Sequence, residues 1–212
     1  MTLKFIALSA YMFTTTTLFA QGKFFASVSA GAGQSAANVK LDYNNYRMAN
    51  YDNISSYYLH AGLGYEIRRW RLSAGVEFFR TGFYKGFAYS NDQLGFYEKI
   101  MAHNENTAIP LLLSYEMRLL KNVSIVPAAG AAMIFAGKTH YNTNDFTLNI
   151  DPWDNLVVNR NLSMGAIAKV TAEVSIGKKI ILFAGPSLRY YKPNPSLHYY
   201  LYLGEIGITR HF

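Results

Sequence analysis

The chain has 212 residues, half of them apolar and 16% aromatic, with 16% charged and a formal net charge of +7. Such sparse charge, against about 25% in an ordinary soluble domain, argues against a disordered chain. The absence of cysteine excludes disulfide scaffolds, thiolate metal centres, thiol catalysis and a lipid-modified N-terminal cysteine.

Met1 to Ala20 reads as a secretory signal peptide: Lys4 supplies the basic start, Phe5 to Phe13 the short apolar stretch, and Ala20 precedes a cut before Gln21. Export is therefore expected, with 21–212 as a single domain. After the leader the period is two. In Tyr57 to Arg68, Tyr57, Leu59, Ala61, Leu63, Tyr65 and Ile67 alternate with Tyr58, His60, Gly62, Gly64, Glu66 and Arg68. Successive strand side chains point to opposite faces, so one face is apolar and the other small or polar. Eight such segments occur, near 23–34, 55–68, 70–82, 106–118, 123–137, 162–176, 179–192 and 198–212. Short turns at 68–70, 119–122 and 177–178 alternate with long connections at 35–54, 83–105 and 138–161, and only Lys192 to Leu197 breaks that rhythm. The pattern predicts an all-β fold, an eight-stranded antiparallel up-and-down barrel, since closure removes the exposed edges. Pro110, Pro127 and Pro186 each remove a ladder donor and predict bulges.

Alternation fits a lipocalin-like shell with the apolar face inward as well as a transmembrane barrel with that face outward. Glycines gather on the polar face (Gly31, Gly33, Gly62, Gly64, Gly75, Gly165, Gly185 and Gly207), where eight strands leave little interior room. Aromatics mark the ends of the apolar face: Tyr57, Tyr65, Trp70, Phe78, Tyr115, Phe135, Tyr190, Tyr200 and the terminal Phe212. Two aromatic levels and unequal loops at the two ends favour the transmembrane arrangement. Arg80 and Arg210 fall on the lipid face near strand ends, where they can snorkel.

The glycine-aromatic run 60–78 (HAGLGYEIRRWRLSAGVEF), the ending 204–212 (GEIGITRHF) and the cut before Gln21-Gly22 resemble the small outer-membrane barrels of the OmpA/OmpX type. The closer resemblance is to the PorT-like outer-membrane β-barrel domain of Bacteroidetes, over essentially the whole mature chain. It implies the outer membrane of a Gram-negative envelope, and the eight-stranded barrel is expected to keep both termini in the periplasm. Some members of that family take part in protein secretion, and the resemblance transfers no catalytic signature.

On the lumen face lie Glu66, Arg71, Glu77, Glu116, Lys169, Glu173, Arg189 and Glu205. Buried ions need partners, so Arg71, Lys169 and Arg189 are expected to pair with Glu77, Glu173 and Glu205, as a structural plug or, alternatively, a gated narrow channel. His60, His103, His140, His198 and His211 show no metal-ligand spacing, and no cofactor site emerges. Ser196 and His198 near the outer rim allow a lipid-modifying enzyme as an alternative, but no acid partner accompanies them. The acidic loop 145–154 lacks the ligand spacing and glycine of a calcium loop. The Tyr- and Asn-rich loop 42–53 suits adaptable contacts, or a polar cap. Arg68, Arg69, Arg71, Arg118, Lys121, Lys178 and Lys179 form a basic collar at the short-turn end, facing anionic lipid or a periplasmic partner. Nucleic acid is not expected as a partner of an exported chain. The expected role is non-enzymatic, structural or contact-mediating through outer loops, within a secretion or surface assembly.

Overall fold

The computed structural model describes residues 22–39, 48–91, 94–137, 139–143, 162–194 and 197–212. The leader 1–20 and the loop 145–154 lie outside them, as do 42–47 of the Tyr- and Asn-rich loop. Eleven strands form one sheet: β1 (Lys23–Val39), β2 (Met48–Asp52), β3 (Ile54–Ile67), β4 (Trp70–Asn91), β5 (Leu94–Tyr115), β6 (Met117–Leu120), β7 (Val123–Phe135), β8 (Thr139–Thr143), β9 (Leu162–Ile176), β10 (Ile180–Asn194) and β11 (Leu197–His211). Eight of them run β4-β3-β1-β11-β10-β9-β7-β5, and β5 pairs back onto β4. That last pairing closes the sheet into the expected barrel. The first and last strands zip antiparallel from Phe25↔His211 to Val39↔Leu197. The other three are accessories: β2 pairs with β4, β8 with β5, and β6 with β7.

The connection at 83–105, expected as a long loop, is strand over 83–91 and 94–105. β4 and β5 pair in unbroken register from Glu77↔Ala108 to Asn91↔Leu94. A hairpin satisfies its ladder from its own partner, so it needs no apolar face and carries no belt-like alternation. Beyond Gly82 it runs a further ~30 Å along the strand. The connections at 35–54 and 138–161 are likewise shortened by β1, β2 and β8. No register shift accompanies the three prolines. Pro110↔Ala132, Pro127↔Val170 and Pro186↔Gly204 each hold the register of their neighbours. Each costs a hydrogen bond without inserting a residue, so the expected bulges are replaced by gaps in single ladders. Shifts occur elsewhere, at Tyr191/Asn194 and Arg118/Leu120.

The orientation of the two faces follows from exposure. Leu63, Leu72, Leu111, Met164, Val174 and Ile206 point outward, with Leu63 69% and Ile206 68% exposed. Glu77 and Glu205 point inward and are fully enclosed. A continuous apolar exterior around an ionic interior is the reverse of a water-soluble shell and suits hydrocarbon. Polar groups bound the belt. At one edge Tyr57 Oη donates to Glu105 Oε1 (3.2 Å), and Arg80 reaches the same carboxylate (3.4 Å) while lying over the Tyr57 ring. At the other edge Trp70 packs on Tyr115 and Phe24 on Tyr65. From Trp70 to Arg80, at about 3.3 Å per residue and a tilt near 40°, the belt is about 25 Å deep, the height of an outer-membrane barrel's apolar band.

Glycines make room for bulky inward rings. A Cβ on Gly64 would stand 2.1 Å from Phe25, and one on Gly207 2.3 Å from Phe183. At the tight turn joining β3 to β4, Arg68 adopts φ 58°, in the left-handed region that disfavours side chains.

Candidate functional site: a plugged lumen

Period two places every second side chain of eight strands on the axis, and the register then decides which of them meet. Two ionic clusters result. Nearer the short turns, Arg71 Nε donates to Glu66 (2.6 Å) and Arg71 Nη1 to Glu173 (2.6 Å), joining β3, β4 and β9. His211 Nε2 lies 3.3 Å from the Glu66 oxygen that Arg71 holds. Deeper in the barrel, Arg189 binds Glu77 through Nη2 (3.0 Å) and Nε (3.3 Å). Its Nη1 donates to Ser187 (2.6 Å), and its guanidinium stacks 4.1 Å over Tyr58. Lys169 Nζ donates to Glu205 (2.8 Å), whose other oxygen accepts from the Tyr58 hydroxyl. His60 Nδ1 stands 3.7 Å from Glu77.

Seven of the eight expected lumen residues therefore fall into these clusters, as Arg71 with Glu66 and Glu173, Lys169 with Glu205 and Arg189 with Glu77. The eighth, Glu116, stands apart at the turn-end mouth. Its backbone N–H donates to Arg69 C=O (2.8 Å), level with the turn and beyond the last β4–β5 pair. Arg118 (2.9 Å) and Ser124 (2.9 Å) both donate to its Oε1. Burial alone would raise the pKa of Glu116. The hydrogen bonds from Arg118 and Ser124, with the Arg118 charge, outweigh it and hold the carboxyl below its ordinary range.

Sequence reasoning missed the partners Tyr58, His60, Ser187 and His211, although all four share the inward parity of the ions. It also missed what fills the outer half of the lumen. Tyr58, Phe79, Phe83, Leu112, Ile134, Ile167, Tyr191, Tyr199, Leu201 and Leu203 form one buried cluster that begins beside the ions, at Tyr58 and Leu112, and extends toward the loop side. Tyr191 stacks on Tyr199 at 5.7 Å and meets Phe79 edge-on at 6.3 Å. Leu201 has no exposed surface at all. On the loop side the lumen is thus filled by a mainly apolar plug, with Thr81, Asn104 and Asn106 buried at the level of Phe79 and Phe83. On the turn side, the hydroxyls of Ser27, Ser73, Ser114, Thr171 and Thr209 line a small chamber together with Phe25, Leu112, Val126 and Phe183. Hydroxyls can be served there by water, as can the buried Asn104 amide and the Tyr191 hydroxyl in the plug, which have no hydrogen-bond partner among the described residues.

Of the other candidates, His198 Nδ1 bonds the Tyr190 hydroxyl (2.6 Å), with Tyr200 beside them. That is an outer-girdle contact on the belt side of the wall. Ser196 lies outside the described residues. His103 on β5 and His140 on β8 are directly opposed, and among the described residues no three potential ligands gather for a metal.

No protein-family model matches the sequence, and no curated protein matches it. Solved structures do. The crystal structure of Neisserial surface protein A aligns with 89% of this chain and 97% of its own, at 12% identity and TM-score 0.52. The outer membrane protease OmpT of Escherichia coli aligns over 90% and 97%, at 9% identity and TM-score 0.50. At such identities the likeness is one of fold: the chain has the closed antiparallel barrel architecture found in outer-membrane proteins.

Proposed function

We propose that this chain is a non-enzymatic integral outer-membrane barrel, exported by its leader, with both termini and the short turns in the periplasm. Its role is structural or contact-mediating, exercised through the loop-side hairpin and its flanking strands. The observation that carries this reading is the lumen itself, filled among the described residues by ion pairs on the turn side and by a mainly apolar cluster of buried side chains on the loop side. The PorT-like character of 60–78 and 204–212 supports a place in a secretion or surface assembly. The lumen ions hold the wall together, and outer-membrane lipid is the environment of the belt.

Three measurements test the proposal. A folded barrel shifts its gel mobility on boiling, and protease added to whole cells should cut the loop side alone. Planar bilayers should show no conductance. A steady single-channel current would replace the plug with a pore. Ser196→Ala and His198→Ala should leave the lipid profile of the membrane unchanged, and loss of a lipid modification would make the chain an enzyme.

A further inference from the structure

Among the described residues, the turn-side end of the lumen holds a cavity of about 120 Å³. Its inner wall is Arg71, whose Nε and Nη1 are spent on Glu66 and Glu173 and whose Nη2 makes no hydrogen bond. Lys23 at the start of β1, Lys178 in the β9–β10 turn and Arg118 on β6 complete the cationic rim. Among the described residues neither Lys23 nor Lys178 has an ion-pair partner, whereas both lining carboxylates are engaged, Glu66 by Arg71 and His211, Glu116 by Arg118 and Ser124. Counting Glu173 against Arg71, four cations face three carboxylates. Around them stand Arg68, Arg69, Lys121 and Lys179, all exposed.

We propose that this mouth is a binding site for an oxyanion, a phosphate or carboxylate group of a soluble ligand. The cavity has room for one such group. An inward Arg nitrogen without an acceptor and two unpaired lysines supply the charge-assisted donors that phosphate and carboxylate accept. The exposed collar raises the local concentration of anions at the mouth. Bilayer headgroups are the wrong source, because they meet the barrel on its circumference, while the inner wall of this cavity is made by the inward residues Glu66, Arg71, Ser175, Ile181 and His211, and Lys23, Arg118 and Lys178 stand at its rim. The inference depends on the barrel but not on its having a contact role.

The test uses the full mature chain folded in zwitterionic micelles and titrated with inorganic phosphate at constant ionic strength, read from backbone amide shifts. Saturable shifts at Ser175 and Gly177 are expected. The Lys23→Gln/Lys178→Gln double variant should bind about tenfold more weakly. Lys121→Gln/Lys179→Gln removes the same charge from the collar without touching the cavity, and should change affinity less than about twofold. Retained heat-modifiable mobility shows that each variant is folded. Unsaturable shifts, or equal losses in the two double variants, would reduce the site to diffuse collar electrostatics and overturn the proposal. In nanodiscs, phosphate should bind equally with neutral phosphatidylcholine and with added phosphatidylglycerol. Competition by the anionic lipid would overturn the soluble source.

Discussion

The pair Arg189–Glu77 offers the sharpest test of how the barrel is held together. Glu77 is 1% exposed and Arg189 4%, so neither ion has water to fall back on. Replacing Glu77 with Gln keeps the shape and removes the charge. Arg189 then retains Ser187 and the face of Tyr58, with Glu205 at 3.9 Å as its remaining counter-ion. Stranding a buried ion costs about 3–5 kcal/mol, and the presence of Glu205 puts the expectation for Glu77→Gln at the low end, about 3 kcal/mol. Arg189→Met strands Glu77 in turn, leaving it His60 at 3.7 Å, and should cost a similar amount. The double variant strands neither partner, so its cost should fall short of the sum of the singles by about 2 kcal/mol or more. The assay is urea unfolding of the barrel in lipid vesicles, followed by heat-modifiable mobility and tryptophan fluorescence. Additive single costs, or a Glu77→Gln cost below about 1 kcal/mol, would refute the claim that these ions depend on each other.

Leu111 stands 55% exposed near mid-belt, and Leu111→Arg should destabilise the barrel in vesicles by about 2–4 kcal/mol, whereas a water-facing surface would tolerate it within error. Arg68→Asn should stabilise by about 0.5–1 kcal/mol in the same unfolding assay, because Asn accepts the left-handed backbone at φ 58° that Arg resists. The Glu116 carboxyl has a folded pKa below its unfolded one, so its contribution is complete above the unfolded pKa of about 4.3 and is lost as pH falls through the folded value. Acid unfolding should therefore show a shallower low-pH decline in Glu116→Gln than in the parent, and identical slopes would contradict the assignment.

The parity of the lumen could be read from the chain because charge and period reinforce each other. Glu66 and Arg71 flank a two-residue turn and face each other across it, and slipping either strand by one residue would push an ion into hydrocarbon. The pairing could not be read. Arg71 reaches Glu173 across 102 positions, a meeting fixed only by the stagger at which eight strands close. The apolar plug was hidden for a related reason. Phe79, Tyr191 and Leu201 carry the same inward parity as the ions, but apolar residues on a face already assigned as polar look like exceptions until packing unites them. Prolines misled in the opposite direction, since a missing N–H interrupts one ladder and leaves the other side of the strand intact.

The seam between β1 and β11 has a consequence for how the molecule comes into being. Phe212 donates its N–H to Phe24 C=O at 3.0 Å, so the start of β1 and the end of β11 lie side by side at the same rim. The cylinder is sealed only when β11 meets β1, and a barrel lacking either strand would keep two raw edges. The same adjacency makes the ring indifferent to where it starts: a few residues bridging 22 and 212, with new ends opened between Arg68 and Arg69, should give a circular permutant that assembles the same wall.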